Sequence, residues 1–278
     1  MSCVQTLTDQ PGKIAFFFAA PHKIMSLQTL IKSSILCLAL IGTLAHAASE
    51  EIQVYTDDKE EAGHASVDFH NSYVLSGRST ADYAGEQAPN HIYRLTPEFN
   101  FGLTDTLELG VYLLSTRATN GDWNGDGYKV RLKYIAPHLE QGLYWGLNFE
   151  MGKQSQAVEQ FPRNAELKAI LGWNLGKWNV AVNLNSDGSF NSGSGPITED
   201  LDFKVNYSVG EKTQLGLESY NSLGSFNHID SFNTNSKVIY AVVDTEVLGH
   251  ELNAGIGHGM YDQADQWIVK FIVNSRFW

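Results

Sequence analysis

The sequence predicts an all-β, transmembrane, antiparallel up-and-down barrel of about 12 strands. Three observations predict it: an export signal near the start, a series of short runs whose side chains alternate between apolar and polar, and connections that are alternately long and short. A soluble sandwich shares the alternation, but it has no reason to keep that rhythm of connections over so many strands.

Residues 1–24 read as an upstream extension to which no fold is assigned. Residues 25–47 read as a secretory signal peptide: Lys32, an apolar core from Ile35 to Leu44, then Ala45-His46-Ala47, a small-x-small cleavage pattern with the cut near Ala47. The apolar core is about half the roughly 20 residues that a spanning helix needs. Both cysteines, Cys3 and Cys37, precede the cut, and Leu36 stands where a lipoprotein signal needs a small residue. Removing Lys13, Lys23, Lys32 and Asp9 takes the formal net charge from −12 to −14, which disfavours nucleic acid as a partner. Residues 48–63, ASEEIQVYTDDKEEAG, show no alternation. They are expected to form an acidic periplasmic tail, or else a plug folded into the lumen that would gate it.

The barrel is expected over 64–278, with strands near 65–75, 91–103, 107–114, 127–134, 143–152, 165–175, 178–185, 200–209, 214–220, 238–244, 252–260 and 267–277. In the second run Tyr93, Leu95, Pro97, Phe99, Phe101 and Leu103 oppose Arg94, Thr96, Glu98, Asn100 and Gly102. Tyr128, Val130, Leu132 and Tyr134 likewise oppose Lys129, Arg131 and Lys133. Connections such as GRSTADYAGEQAPN and SDGSFNSGSGPITE alternate with TDT, GK and GEKT, as long external loops alternate with tight periplasmic turns. Tyr134, Trp145, Trp173, Trp178 and Tyr207 stand beside the short turns, where an interfacial girdle belongs. The last run sets Trp267, Val269, Phe271, Val273 and Phe277 outward; Trp278 falls on the opposite parity, at the rim or after a bulge. Outer-membrane lipid is therefore an expected partner, and so is the barrel-assembly machinery, engaged through the C-terminal strand.

The stretches RLTPEFNFGLTDTLELGVYL, VRLKYIAP, GLYWGLNFEMG and ELKAILGWNLGKWNVAVN resemble a group of proteobacterial outer-membrane barrels of undefined function, distantly similar to barrels of phenol and other aromatic degradation pathways. The resemblance covers nearly all of the chain from about Glu61 and contains no catalytic motif. It implies an outer-membrane location and the passage of small molecules, and it leaves the cargo open.

The polar face places Arg94, Glu98, Glu108, Lys129, Arg131, Lys133, Glu150, Glu166, Lys168, Asp202, Lys204 and Glu218 in the lumen, with Lys270 and Arg276. Two outcomes follow: a salt-bridged interior that only stabilises the barrel, or a conducting path. The ladder Lys129, Arg131, Lys133 would favour anions if unpaired; pairing with acids such as Glu108 and Glu150 is the preferred reading, and Gly146 is expected to give Arg131 room.

His70 and Ser72, at i and i+2, have the spacing of the base and nucleophile of outer-membrane lipid hydrolases. Here Phe69 and Tyr73 claim the lipid face and send the pair inward, with no third orienting residue, so no catalytic residue is assigned. Asp122, Asn124 and Asp126, followed by Gly127, are half of a calcium loop with Lys133 where the bidentate Glu belongs. Calcium is the one cofactor considered, and a polar Gly/Asn/Asp turn is the favoured reading. A small-molecule channel leads; a lipid hydrolase and a non-conducting structural barrel are the alternatives.

Overall fold

Residues 52–139, 142–190, 195–229, 236–260 and 264–277 are described by the structure, a computed structural model. The expected extension, signal peptide and cleavage site lie outside these residues, as does Trp278.

Twelve long strands form the wall. In chain order they are β1 (Ala65–Ser76), β2 (Tyr93–Thr104), β3 (Leu107–Arg117), β4 (Trp123–Ile135), β5 (Leu143–Gln154), β6 (Arg163–Leu175), β7 (Trp178–Ser189), β8 (Thr198–Ser208), β9 (Thr213–Ser225), β11 (Lys237–Val247), β12 (His250–Gly259) and β13 (Trp267–Arg276). A two-residue β10 (His228–Ile229) only extends the β9 end, pairing with Gly224 and Ser225. Each long strand pairs antiparallel with its neighbours, and β13 pairs with β1, so the sheet closes. Closure is what lipid demands: no water is present to satisfy an open edge, and every strand N–H and C=O must find a partner on the next strand.

The two faces follow from the period of two. Phe69, Leu113, Leu132, Phe149, Leu171 and Phe271 are exposed on the outside, while Glu98, Asn148, Asn183 and Glu218 are fully buried inside. Tyr134 meets Trp145 at 5.6 Å and Trp178 meets Tyr207 at 4.7 Å beside the short turns. At the other end Tyr93 meets Trp123 at 5.8 Å, a second aromatic pair that lay hidden because Trp123 reads as loop. Turn chemistry is regular. Leu248 and Gly249 both take positive φ (55° and 86°), as the two-residue hairpin between β11 and β12 needs to match strand twist, and Gly176 does so at 62° between β6 and β7.

Several strands run past their expected ends. β4 begins at Trp123 rather than near residue 127, because Trp123, Asn124 and Gly125 continue the ladder against Arg117, Thr116 and Ser115 after a register shift beside Leu114. β9 continues to Ser225 in the same way, pairing with Thr198 on β8. Bilayer thickness limits the apolar band, whereas hydrogen-bonded rungs continue into the loops. Arg276, expected inside, is instead 58% exposed at the strand end, where it lies 3.4 Å from Glu251.

The outer face should tolerate no charge at mid-height. Val130→Arg is expected to cost about 2 to 4 kcal/mol of folding free energy, measured by denaturant titration in lipid vesicles, because Val130 faces lipid near the middle of β4. The same change at Leu248, 95% exposed on a short turn, should cost about 0 to 1 kcal/mol. Equal losses would mean that the faces are misassigned.

Candidate functional site

The lumen is the site, and charge pairing organises it. Arg94, Glu98, Glu108, Lys129, Arg131, Lys133, Glu150, Glu166, Lys168, Asp202, Lys204 and Glu218 are all buried. On the β2–β4 wall, Arg131 lies 2.5 Å from Glu98 and 2.6 Å from Glu108, and Lys133 lies 3.0 Å from Glu108. Glu98 also meets His70 Nε2 at 3.0 Å. Arg131 and Glu98 stand on β4 and β2 with β3 between them, so they can touch only over a strand that offers no side chain there. Gly110 provides that gap: a Cβ on it would come within 2.7 Å of Arg131 Nε and 2.8 Å of Glu98 Oε1. The space for Arg131 thus lies at Gly110 and not at Gly146, whose missing Cβ faces the Tyr134 carbonyl and Ile135.

The facing wall has its own network. Lys270 Nζ donates to Glu218, Lys204 lies 3.1 Å from Glu218 and 3.0 Å from Asp244, and the Tyr220 hydroxyl donates to Glu218 at 2.7 Å. Between the walls Lys168 meets Glu166 at 3.1 Å, and Asn185 donates to Asp202 at 2.8 Å.

Chain preceding β1 joins the two walls. Ile52 packs with Val74, Tyr240, Val242 and Ile268, and its carbonyl accepts from Lys270 at 2.7 Å. Three residues on, Asn183 of β7 holds the Tyr55 backbone twice, at 2.6 Å on N–H and 2.9 Å on C=O. The Tyr55 ring packs with Ile135, Tyr144 and Ile170, and Lys168 Nζ lies 4.2 Å from its centroid. Its hydroxyl meets that of Tyr112 at 2.7 Å and donates to Glu150 at 3.1 Å. From there the segment descends: Asp57 meets Asn174 at 3.0 Å and His138 at 2.9 Å, and Glu60 N–H donates to Glu108. Residues 52–60 therefore cross the barrel as a strut and leave by the end with the short turns. Below the strut lies a cavity of about 990 Å³, lined by Asp57, Lys59, Glu108, Lys133, Asp244 and Glu251 among others. Tyr55 carries no motif, and its only sequence signal is an apolar Ile52, Val54, Tyr55 inside an acidic leader; Asn183 is legible only as a polar residue on the lumenal face of β7.

The two chemical motifs do not assemble. His70 is turned to Glu98, and Ser72 is buried on the lumenal face of β1. Asp122 sits in an exposed turn with Asn120, Asn124 is in β4 rather than in a loop, and Asp126 is buried and accepts from Ser155 at 3.0 Å. Among the described residues the compact group of metal-ligand type is Asp68, His70 and Glu98. Asn274 donates to one Asp68 oxygen at 2.6 Å, Asn100 to the other at 2.8 Å, and Arg131 to Glu98, so the group reads as a closed hydrogen-bond network.

No protein-family model and no curated sequence matches the chain. Solved structures do match its fold. The COG4313 outer membrane channel from Pseudomonas putida F1 superposes with a TM-score of 0.55 at 12% identity, over 82% of this chain and all of that one. KdgM porin gives 0.52 at 11% identity over 77% of this chain and 99% of that one. NanC porin gives 0.51 at 12% over 75% and 97%. At such identities the likeness is one of fold.

Cutting a buried pair should reveal how much the barrel depends on it. Arg131→Ala leaves Glu98 and Glu108 without their shared cation and is expected to cost about 3 to 5 kcal/mol, read by denaturant unfolding in micelles. Lys212→Ala, which breaks the exposed pair with Glu246, should cost under about 1 kcal/mol.

Proposed function

We propose that this chain is an outer-membrane channel for small molecules whose bore is set by its own segment 52–60. The observation that carries the reading is the strut. It crosses a polar, charged lumen and leaves a cavity of about 990 Å³ open beneath it, which an interior filled solely for stability would not need. The fold likeness to porins and to an outer membrane channel supports the same reading and the outer-membrane location. The resemblance to barrels of aromatic degradation pathways supports a small-molecule cargo.

The paired lumen favours a second reading, a barrel that does not conduct. Arg131 and Lys133 are held by Glu98 and Glu108, so the cationic ladder is no free anion path. A lipid hydrolase gains no support from His70 and Ser72, which face away from lipid.

Single-channel recording of refolded protein in planar bilayers separates the two. The full chain is expected to pass small ions at low conductance, and a variant lacking residues 48–60 should conduct several-fold more, because the strut no longer divides the lumen. Silence from both proteins would favour the structural barrel. Equal conductance would show that the strut does not limit flow.

A further inference from the structure

We propose that Arg94, with the hydroxyls of Thr116 and Tyr240, forms a binding site for a carboxylate-bearing small molecule in the half of the lumen nearer the long loops. Arg94 differs from the other lumenal cations. Arg131, Lys133, Lys168, Lys204 and Lys270 all have carboxylate partners, whereas Arg94 makes no ion pair or hydrogen bond among the described residues. It is nevertheless only 8% exposed, and its Nε is buried without a partner.

A guanidinium so placed offers a planar fork of donors, the shape that takes a carboxylate through two parallel hydrogen bonds. Its surroundings add donors of the right kind. Register sets Arg94 opposite Thr116 on β3, and the Thr116 hydroxyl is buried with no partner. Tyr240, on β11, packs with Val74 of β1, two residues from Ser72, the β1 residue that stands opposite Arg94, and its hydroxyl is also buried and unpartnered. The Tyr240 ring is held in place by Gly257, where a Cβ would come within 2.5 Å of it, and by an edge contact with Tyr220 at 5.6 Å. Three unsatisfied polar groups in one region of a packed interior are costly, and a ligand with two acceptor oxygens relieves them together. A negative charge suits the site because no described carboxylate forms an ion pair with Arg94; Asp265, which reaches over Gly77, accepts the Arg78 backbone N–H at 3.4 Å instead.

The site rests on the channel reading for its place on a solute path, but its test does not. Isothermal titration of the full refolded protein in micelles at low salt uses gluconate as the probe, with glucose as the neutral counterpart and inorganic phosphate as a second oxoanion. Gluconate is expected to bind saturably and glucose not at all. Arg94→Gln should weaken binding at least tenfold, Arg94→Lys less, and Thr116→Val with Tyr240→Phe several-fold, with heat-modifiable gel mobility reporting a folded barrel. The site is refuted if the full protein takes neither oxoanion, or if folded Arg94→Gln binds as tightly as the parent. Should Arg94→Gln fail to fold, the hydroxyl double variant decides: unchanged affinity refutes the site and weaker binding supports it. Binding without conductance would overturn the channel and keep the site, whereas conductance without binding would do the reverse.

Discussion

In lipid the hydrogen bonds of the backbone have no competitor and no substitute, and from that single constraint the rest of this molecule descends. A sheet that may leave no edge must return to its first strand, so β13 is laid against β1 from Ser66 opposite Arg276 to Ser76 opposite Trp267. Once closed, the wall has one face for lipid and one for itself. Every second residue is then committed to an interior where charges must find each other. The lumenal ion pairs are a consequence of the ladder, and they also fix which strands sit close enough to share them.

The sequence made the wall legible because the wall is governed by neighbours. Alternation in β2 and β4 told which of Arg94, Glu98, Lys129 and Arg131 share a face, and the rhythm of connections ordered the strands. The partners inside were less legible, because they depend on strands that are not adjacent. Glu98 and Arg131 have no sequence relation that reveals their contact, and the deciding residue, Gly110, says nothing until a side chain is laid across it. The lumenal surface is thus written in its absences: Gly110 and Gly257 are the seats on which Arg131 and Tyr240 lie.

Strand ends were legible only to the thickness of the bilayer. Trp123 and Asn124 have the composition of a loop, yet they extend β4 because Arg117 and Thr116 stand ready to pair with them. The leader was legible as an acidic tail or a plug, and composition alone favoured the tail. What holds residues 52–60 inside is a pair of distant amides and a few buried side chains, Ile52 and Tyr55 above all, that the charge of the segment conceals.

The strut also bears on how the molecule comes to be assembled. Its two anchors belong to parts of the chain made long after it: Asn183 is 128 residues from Tyr55, and Lys270 is 218 from Ile52. Both contacts join residues far apart in the chain and need β7 and β13 already in place around the segment, so the segment docks only as the wall completes. Since it leads directly into β1, one lip of the closing seam, it has to be threaded to the inner side before β1 and β13 meet or be drawn in afterwards through the mouth with the short turns. The inside of this barrel is joined by a piece of chain that precedes every strand of its wall.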